Sequence, residues 1–86
     1  MEIEDLYYWK KFIGKGDIVI DVGANFGYWT LVASHLVGKK GKVISFEPIE
    51  HTFNVLKGNI EASRRGNVEL YRKGLSYESK KEVFTH

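Results

Sequence analysis

Two acidic residues and one glycine-containing turn are the groups whose types and spacing could do chemistry in this sequence. Asp21 opens the segment DVGANFG at residues 21–27, and Glu47 ends an apolar run further along the chain. Each acid follows a short apolar run, and a helix-like stretch lies between them. Strand, glycine turn, helix, strand and acid, in that order, are typical of a binding site for a nucleotide-type cofactor.

The glycines of the turn suit a ligand that approaches the backbone closely. Gly23 can adopt a positive φ and leaves room for a ligand, whereas Gly27 allows a helix to pack closely on a strand. The short amide of Asn25 tolerates unusual backbone angles, so this residue either shapes the turn or contacts the ligand. A tight turn without a ligand would use the same glycines. The neighbouring acids must therefore distinguish a ligand site from a purely structural turn.

The carboxylate of Asp21 indicates which kind of ligand fits. A phosphate-binding loop presents N–H groups and a helix N-terminus to an anion, and a carboxylate beside that loop would repel phosphate. The glycine spacing also differs from the dinucleotide pattern G-x-G-x-x-G. S-adenosylmethionine carries an ammonium and a sulfonium group and no phosphate, so it suits Asp21. The alternative is that Asp21 only caps its own turn or the following helix.

Glu47 is predicted to hold a ribose. It lies at the carboxyl end of the second predicted strand, where open α/β sheets bind their ligands. Its carboxylate could accept hydrogen bonds from both ribose hydroxyls, and it would oppose the 2′-phosphate of NADP. Pro48 ends the strand and keeps the backbone of Glu47 extended. The alternative is an acid at a strand end that simply faces solvent.

The pattern of apolar residues predicts the elements that position these groups. Strands and helices alternate, which implies βαβ units with right-handed crossovers and the α/β fold class. We expect a partial Rossmann-like parallel sheet of strand order 3-2-1 with flanking helices, in which Ile18–Val22 is buried on both faces. The predicted elements are an N-terminal helix over 3–13 (within 1–14), strands over 18–22, 43–46 and 67–73, helices over 26–37 and 49–63, and a last short strand over 82–84.

Composition excludes several other classes of site. The 86 residues form at most one domain, and without cysteine they hold neither a disulfide nor a thiolate metal site. The three histidines have no metal-like spacing, so no metal is expected. No apolar run approaches the roughly 20 residues that span a bilayer, and the acidic N-terminus lacks the basic start of a secretion signal. A cytoplasmic protein without a membrane partner is the expectation.

Basic residues occur in scattered pairs, and the net charge is only +2. Such pairs are expected to lie on solvated faces, so no nucleic-acid partner is predicted. The pairs and the short run are Lys39-Lys40-x-Lys42, Arg64-Arg65 and Lys80-Lys81.

Four stretches of the sequence resemble the N-terminal half of FkbM-type methyltransferases, which belong to the class I S-adenosylmethionine-dependent group. The two more specific stretches are GDIVIDVGANFGY at 16–28 and GKVISFEP at 41–48, and weaker similarity occurs in FNVLKGN at 53–59 and GLS at 74–76. The resemblance covers the chain from about Lys15 onward.

The resemblance implies methyl transfer from S-adenosylmethionine, often to an oxygen of a sugar or other small molecule. It implies that residues 21–27 surround the methionine part of the cofactor, that Glu47 holds the ribose, and that Ser76 lies by the adenine. The expected cofactor-binding residues are Asp21, Gly23, Ala24, Asn25, Gly27, Glu47, Pro48 and Ser76.

Members of that family continue for about as many residues again, and the additional part supplies a fourth strand and most of the substrate pocket. Residues 1–86 are therefore expected to be a single, incomplete cofactor-binding domain, and no catalytic residue is assigned. In such a half sheet, Ile18–Val22 becomes an edge strand that invites pairing. A homodimer, a completing partner chain or a fragment of a longer protein is the resulting hypothesis.

Two other functions fit part of the pattern. An NAD-dependent oxidoreductase shares the strand–turn–helix layout, although Asp21 and the glycine spacing oppose it. A non-enzymatic subunit or scaffold domain needs no ligand at all.

Overall fold

The computed structural model describes residues 12–74. Three strands and two helices alternate along this part of the chain, as the apolar pattern predicts. They are β1 (Ile18–Val22), α1 (Tyr28–Val37), β2 (Lys42–Phe46), α2 (Glu50–Ser63) and β3 (Val68–Tyr71). Residues 3–11 of the predicted N-terminal helix lie outside the described residues, as do Ser76 and the predicted strand over 82–84, whereas Phe12 and Ile13 are described and are not helical.

The sheet is parallel, with β2 between β1 and β3. Ile20 of β1 is paired with Ile44 of β2, and Ile44 is paired with Glu69 of β3. The predicted α/β class and the predicted strand order 3-2-1 are both confirmed. All three carboxyl ends point to the same edge of the sheet, which brings the turn after β1 next to the turn after β2.

Both described helices pack on one face of the sheet. Val19, Val43 and Val68 share a register position on that face, where they pack with side chains of α1. Leu56 and Ile60 of α2 form a second cluster beside β3. The two clusters meet at Val68 and together form the core below the sheet.

The expectation that β1 is buried on both faces is wrong. Val19 is fully buried under α1, but Ile18 on the other face is 55% exposed. Ile20 and Val22, which share that face, are half-buried. The physical reason is that α1 and α2 both lie on the Val19 side, so within residues 12–74 the opposite face has no helix over it.

The helices begin slightly later than predicted because of their capping residues. Gly27 precedes α1 in a left-handed conformation, with φ of 95°, and Ile49 precedes α2 in an extended conformation. At the other end of α2, the left-handed position is taken by Arg64 rather than by a glycine, with φ of 57°. A residue with a Cβ atom pays roughly 1–2 kcal/mol for that conformation.

Asn67 ties the start of β3 to the end of α1. Its Nδ2 donates hydrogen bonds to the backbone oxygens of Ser34 and Gly38, at 3.0 and 2.9 Å. Its Oδ1 accepts a hydrogen bond from the Ser34 hydroxyl. The N–H groups of Gly38 and Gly41 also donate to these two carbonyls, so the Asn67 amide supplies each of them with a second hydrogen bond.

Candidate cofactor site

The turn between β1 and α1 is held against the carboxyl end of β2. The N–H groups of Gly23 and Ala24 both donate to the carbonyl of Phe46, at 2.9 and 3.0 Å. Three residues of the turn have left-handed backbones, with φ of 73° at Gly23, 55° at Asn25 and 95° at Gly27. The two glycines and the short asparagine amide are residue types that tolerate this geometry.

The two glycines of the turn have different roles. A Cβ atom at Gly23 would meet nothing within 4 Å, so the space above this residue is open to a ligand. A Cβ atom at Gly27 would lie 2.7 Å from Cδ1 of Leu56. The close approach predicted for Gly27 is therefore made to helix α2, and the expected partner strand was wrong, because α2 lies on the same face as α1.

Asp21 is buried at the inner wall of this turn. Only 8% of its surface is exposed, and its Oδ2 accepts a hydrogen bond of 2.6 Å from the Thr30 hydroxyl. The Thr30 hydroxyl in turn lies 2.8 Å from the hydroxyl of Ser45, and both of these residues are fully buried. The carboxylate is thus fixed by a side chain from the first turn of α1 and, through it, by β2.

A hollow of about 360 Å³ opens over the turn, within the size range of small-molecule sites. The N-terminal end of α1 borders it, and Gly27 offers no side-chain cap to the N–H groups there. These groups and the helix dipole favour an anion, while the carboxylate of Asp21 favours a cation. The lining residues are Asp21, Gly23, Ala24, Asn25, Phe26, Tyr28 and Trp29.

Glu47 is 4% exposed, so it is not an acid that faces solvent. Its Oε1 accepts a 2.8 Å hydrogen bond from the Asn25 N–H, and its Oε2 accepts one of 3.2 Å from the Ile49 N–H. The carboxylate therefore fastens the turn after β1 to the turn after β2. Each ionised oxygen retains a lone pair for a further donor.

The structure brings most of the predicted site residues together, but not into one open pocket. Asp21, Gly23, Ala24 and Asn25 line the hollow, whereas Glu47 lies behind the turn at Asn25. Gly27 is buried against Leu56, and Pro48 is exposed. Thr30 and Ser45 were not predicted as site residues. In a βαβ unit, a hydroxyl residue in the first turn of the helix lies near an acid in the preceding strand, so the spacing of nine residues between Asp21 and Thr30 could have indicated this contact.

The shifted pKa values lie on the sheet face opposite the helices. Lys42 and Glu69 form an ion pair of 2.7 Å, which lowers the pKa of the glutamate and raises that of the lysine. A hydrogen bond of 2.9 Å from the hydroxyl of Tyr71 to Glu69 raises the pKa of the tyrosine. Within residues 12–74, no cluster of three acids or histidines suits a metal ion.

Comparison with known proteins places this geometry among methyltransferases. Residues 4–74 match the sequence model of the protein-L-isoaspartate(D-aspartate) O-methyltransferase family, PCMT. The mitochondrial rRNA methyltransferase 2 of Schizosaccharomyces pombe is 56% identical over 41 residues, which are 48% of this chain and 18% of that protein. The protein-L-isoaspartate O-methyltransferase 2 of Archaeoglobus fulgidus is 39% identical over 56 residues, covering 65% of this chain and 26% of that protein.

A solved structure also indicates a methyltransferase fold. The S-adenosylmethionine-dependent methyltransferase of Aquifex aeolicus is 30% identical, with a TM-score of 0.72 over 77% of this chain and 36% of that one. The fold is thus that of the class I S-adenosylmethionine-dependent methyltransferases, and the chain spans well under half the length of these relatives. None of the three is an FkbM-type enzyme. In the described part of the chain, neither helix is long and apolar enough to cross a membrane.

Proposed function

We propose, because the chain belongs to the protein-L-isoaspartate(D-aspartate) O-methyltransferase family, that it binds S-adenosylmethionine in the hollow over the β1–α1 turn. The observation that carries the proposal is the buried carboxylate of Asp21, held by Thr30 beside the open space over Gly23. When bound, the cofactor supplies a methyl group on a sulfonium that is ready to leave. The chain would then be the cofactor-binding portion of a methyltransferase.

The charges of the cofactor's methionine part match the carboxylate and the helix N-terminus that border the hollow. Asp21 attracts the ammonium and the sulfonium, and the N-terminal end of α1 attracts the carboxylate. A phosphate-bearing cofactor lacks this pairing of charges, which is why NAD fits less well. The backbone at Gly23 and Ala24 would lie along the ligand between these two groups.

Glu47 would accept hydrogen bonds from the ribose. Because its carboxylate already accepts the N–H groups of Asn25 and Ile49, it is fixed in place before the ligand arrives. The ligand would meet an acceptor whose rotamer needs no further ordering, which reduces the entropy cost of binding. Pro48 and Ser76 remain predicted neighbours of the nucleoside.

For the methyl acceptor, we propose the carboxylate of an isoaspartyl residue in a protein substrate. The sugar or other small molecule expected from the FkbM-type resemblance gains no support from the relatives above, which act on isoaspartyl proteins or rRNA by their names. An ionised carboxylate is already a nucleophile at neutral pH, whereas a hydroxyl needs a general base. The proposal therefore requires positioning of the acceptor and no base from this chain.

Calorimetry of the 86-residue chain with S-adenosylmethionine, S-adenosylhomocysteine and NAD tests cofactor binding. We expect binding of the first two and at least tenfold weaker binding of S-adenosylmethionine to Asp21→Ala. The control Glu61→Ala, at an exposed position of α2, should have an unchanged affinity. Binding of NAD alone would support the oxidoreductase alternative instead. A chain that is folded but binds none of the three would support a scaffold domain.

We also propose that the edge strand β1 pairs with a second copy or with a completing partner chain. Within the described residues β1 has a neighbour on one side only, and its outer face includes Ile18, which is 55% exposed. Sedimentation velocity at increasing concentration should show association that Ile18→Lys weakens. The proposal would be contradicted if the chain is a monomer at all concentrations and captures no partner chain.

A further inference from the structure

A second hollow lies at the opposite edge of the sheet from the β1–α1 turn. It measures about 690 Å³ and is formed where the strands begin and the helices end. We call it the basic groove. Its lining residues are Gly16, Ile18, Gly38, Lys39, Lys40, Gly41, Lys42, Arg64, Arg65, Gly66 and Asn67.

The fold gathers basic residues that are far apart in the sequence. Lys39 and Lys40 follow the end of α1, while Arg64 and Arg65 follow the end of α2. Because both crossovers return to the same edge of a parallel sheet, the two basic pairs line one groove. The sequence predicted separate solvated pairs, since spacing alone does not show that both helices end at one place.

Positive charge in the basic groove exceeds what the fold itself needs. Five of the 13 basic residues of the chain line it, and none of its described lining residues is acidic. Lys42 is paired with Glu69, but the described residues 12–74 provide no ion pair for Lys39, Lys40, Arg64 or Arg65. Two helix C-termini contribute only about half a negative charge each, so a clear positive excess remains after they are compensated.

We propose that the basic groove binds the phosphodiester backbone of a nucleic acid. Lysine and arginine side chains gathered along one groove fit a chain of phosphates, which carries one charge per nucleotide. No aromatic side chain lines the described groove, so stacking on bases is not available and binding should be independent of sequence. A bilayer surface is flat at this scale and would reach only the rim.

The basic groove is separate from the proposed cofactor site. A strand of five residues separates the two edges of the sheet, which corresponds to roughly 17 Å. The basic groove would hold a nucleic acid whether or not the hollow over Gly23 binds a cofactor. A nucleic acid in the basic groove would also leave free the edge of the sheet where the strands end, at which a methyl acceptor would approach.

Fluorescence anisotropy with a labelled 20-nucleotide single-stranded RNA tests the proposal. With four cations engaged, the logarithm of the affinity should fall with the logarithm of salt concentration with a slope of about −3. The variants Lys39→Gln/Lys40→Gln and Arg64→Gln/Arg65→Gln should each halve this slope and weaken binding at least tenfold at low salt. The matched control, Lys57→Gln/Lys73→Gln, removes two charges elsewhere and should retain most of the affinity.

Other ligands in the same experiment distinguish between the possible anionic partners. Single-stranded DNA of the same sequence and an RNA of different sequence should bind within a fewfold of the first RNA, because all present the same backbone. The proposal is overturned if the chain binds no RNA at 50 mM salt, or if the control loses as much affinity as the groove variants. Binding to phosphatidylserine vesicles without binding to RNA would also overturn it and would identify a membrane surface instead.

Discussion

The hydroxyl of Thr30 donates a hydrogen bond of 2.6 Å to the carboxylate of Asp21, inside the protein. The two residues belong to different elements, since Asp21 is in β1 and Thr30 is in the first turn of α1. The bond therefore sets both the rotamer of the acid and the position of the helix over the strand. Any ligand that meets Asp21 meets a carboxylate that Thr30 has already oriented.

Replacing Thr30 with valine should weaken both stability and cofactor binding. Valine has nearly the same shape but no hydroxyl, so Asp21 and Ser45 each lose a buried partner, at a cost of about 1–3 kcal/mol. Urea denaturation measures the loss, and calorimetry measures the affinity for S-adenosylmethionine. Thr30→Ser keeps the hydroxyl and should retain most of the affinity. Equal affinities for the valine and serine variants would show that Thr30 does not position Asp21.

Replacing Glu47 with alanine should loosen the turn over the hollow. The N–H groups of Asn25 and Ile49 both lose their acceptor, and a hydrogen bond to a carboxylate contributes about 1.5–3 kcal/mol. Hydrogen exchange at the Asn25 amide should become at least tenfold faster, and the affinity for S-adenosylmethionine should fall at least tenfold. Amides of β3 serve as internal controls. Unchanged exchange at Asn25 would contradict the proposed link between the two turns.

Replacing Asn67 with alanine should destabilise the chain by about 2–3 kcal/mol. Two backbone carbonyls at the end of α1 each lose one of their two donors, and the buried hydroxyl of Ser34 loses its acceptor. The midpoint of urea denaturation reports the effect. The control Asn54→Ala changes an exposed position of α2 and should lie within about 0.5 kcal/mol of the parent chain. Similar midpoints for the two variants would rule out this capping role.

Replacing Arg64 with glycine should stabilise the chain by about 0.5–1 kcal/mol, because glycine adopts the left-handed conformation without strain. The same substitution removes a cation from the basic groove and should weaken RNA binding. Thermal denaturation and anisotropy therefore move in opposite directions for one variant. Arg65→Gly, at a position without a positive φ, should weaken binding without stabilising the fold.

The ion pair between Lys42 and Glu69 should contribute stability only within a pH window. Folding lowers the pKa of Glu69, so its contribution is present above the ordinary glutamate pKa and is lost as the pH falls through the lowered value. Folding raises the pKa of Lys42, so that contribution is lost as the pH rises through the raised value. The stability difference between the parent chain and Glu69→Gln should vanish at both extremes. A stability difference between the two proteins that does not vary with pH would contradict a contribution from this ion pair.

The order of strands and helices could be predicted from the sequence because it depends on local signals. The apolar run of β1, the glycine turn and the spacing on α2 each lie within a dozen residues. The carboxyl-end position of Asp21 and Glu47 followed from that order alone. Asn25 has an unusual backbone angle, as its short amide suggested.

What could not be predicted depends on how distant elements pack. Gly27 contacts Leu56 rather than a strand, and Glu47 lies behind Asn25 rather than in the hollow beside Asp21. The exposure of Ile18 depends on which face the helices take. The convergence of Lys40 with Arg64 likewise requires both crossovers to be known. Each of these contacts joins side chains whose separation no local pattern encodes.

The hydrogen bonds that shape the cofactor hollow link residues only 9, 15 and 22 positions apart. Closing such short loops costs little entropy, so these contacts favour early formation during folding. None of these three hydrogen bonds involves a residue after Glu47, although Asn59 of α2 adds a bond to the carbonyl of Phe26. On a ribosome, a growing polypeptide would therefore acquire the hydrogen-bonded outline of this hollow before α2 and β3 were synthesised.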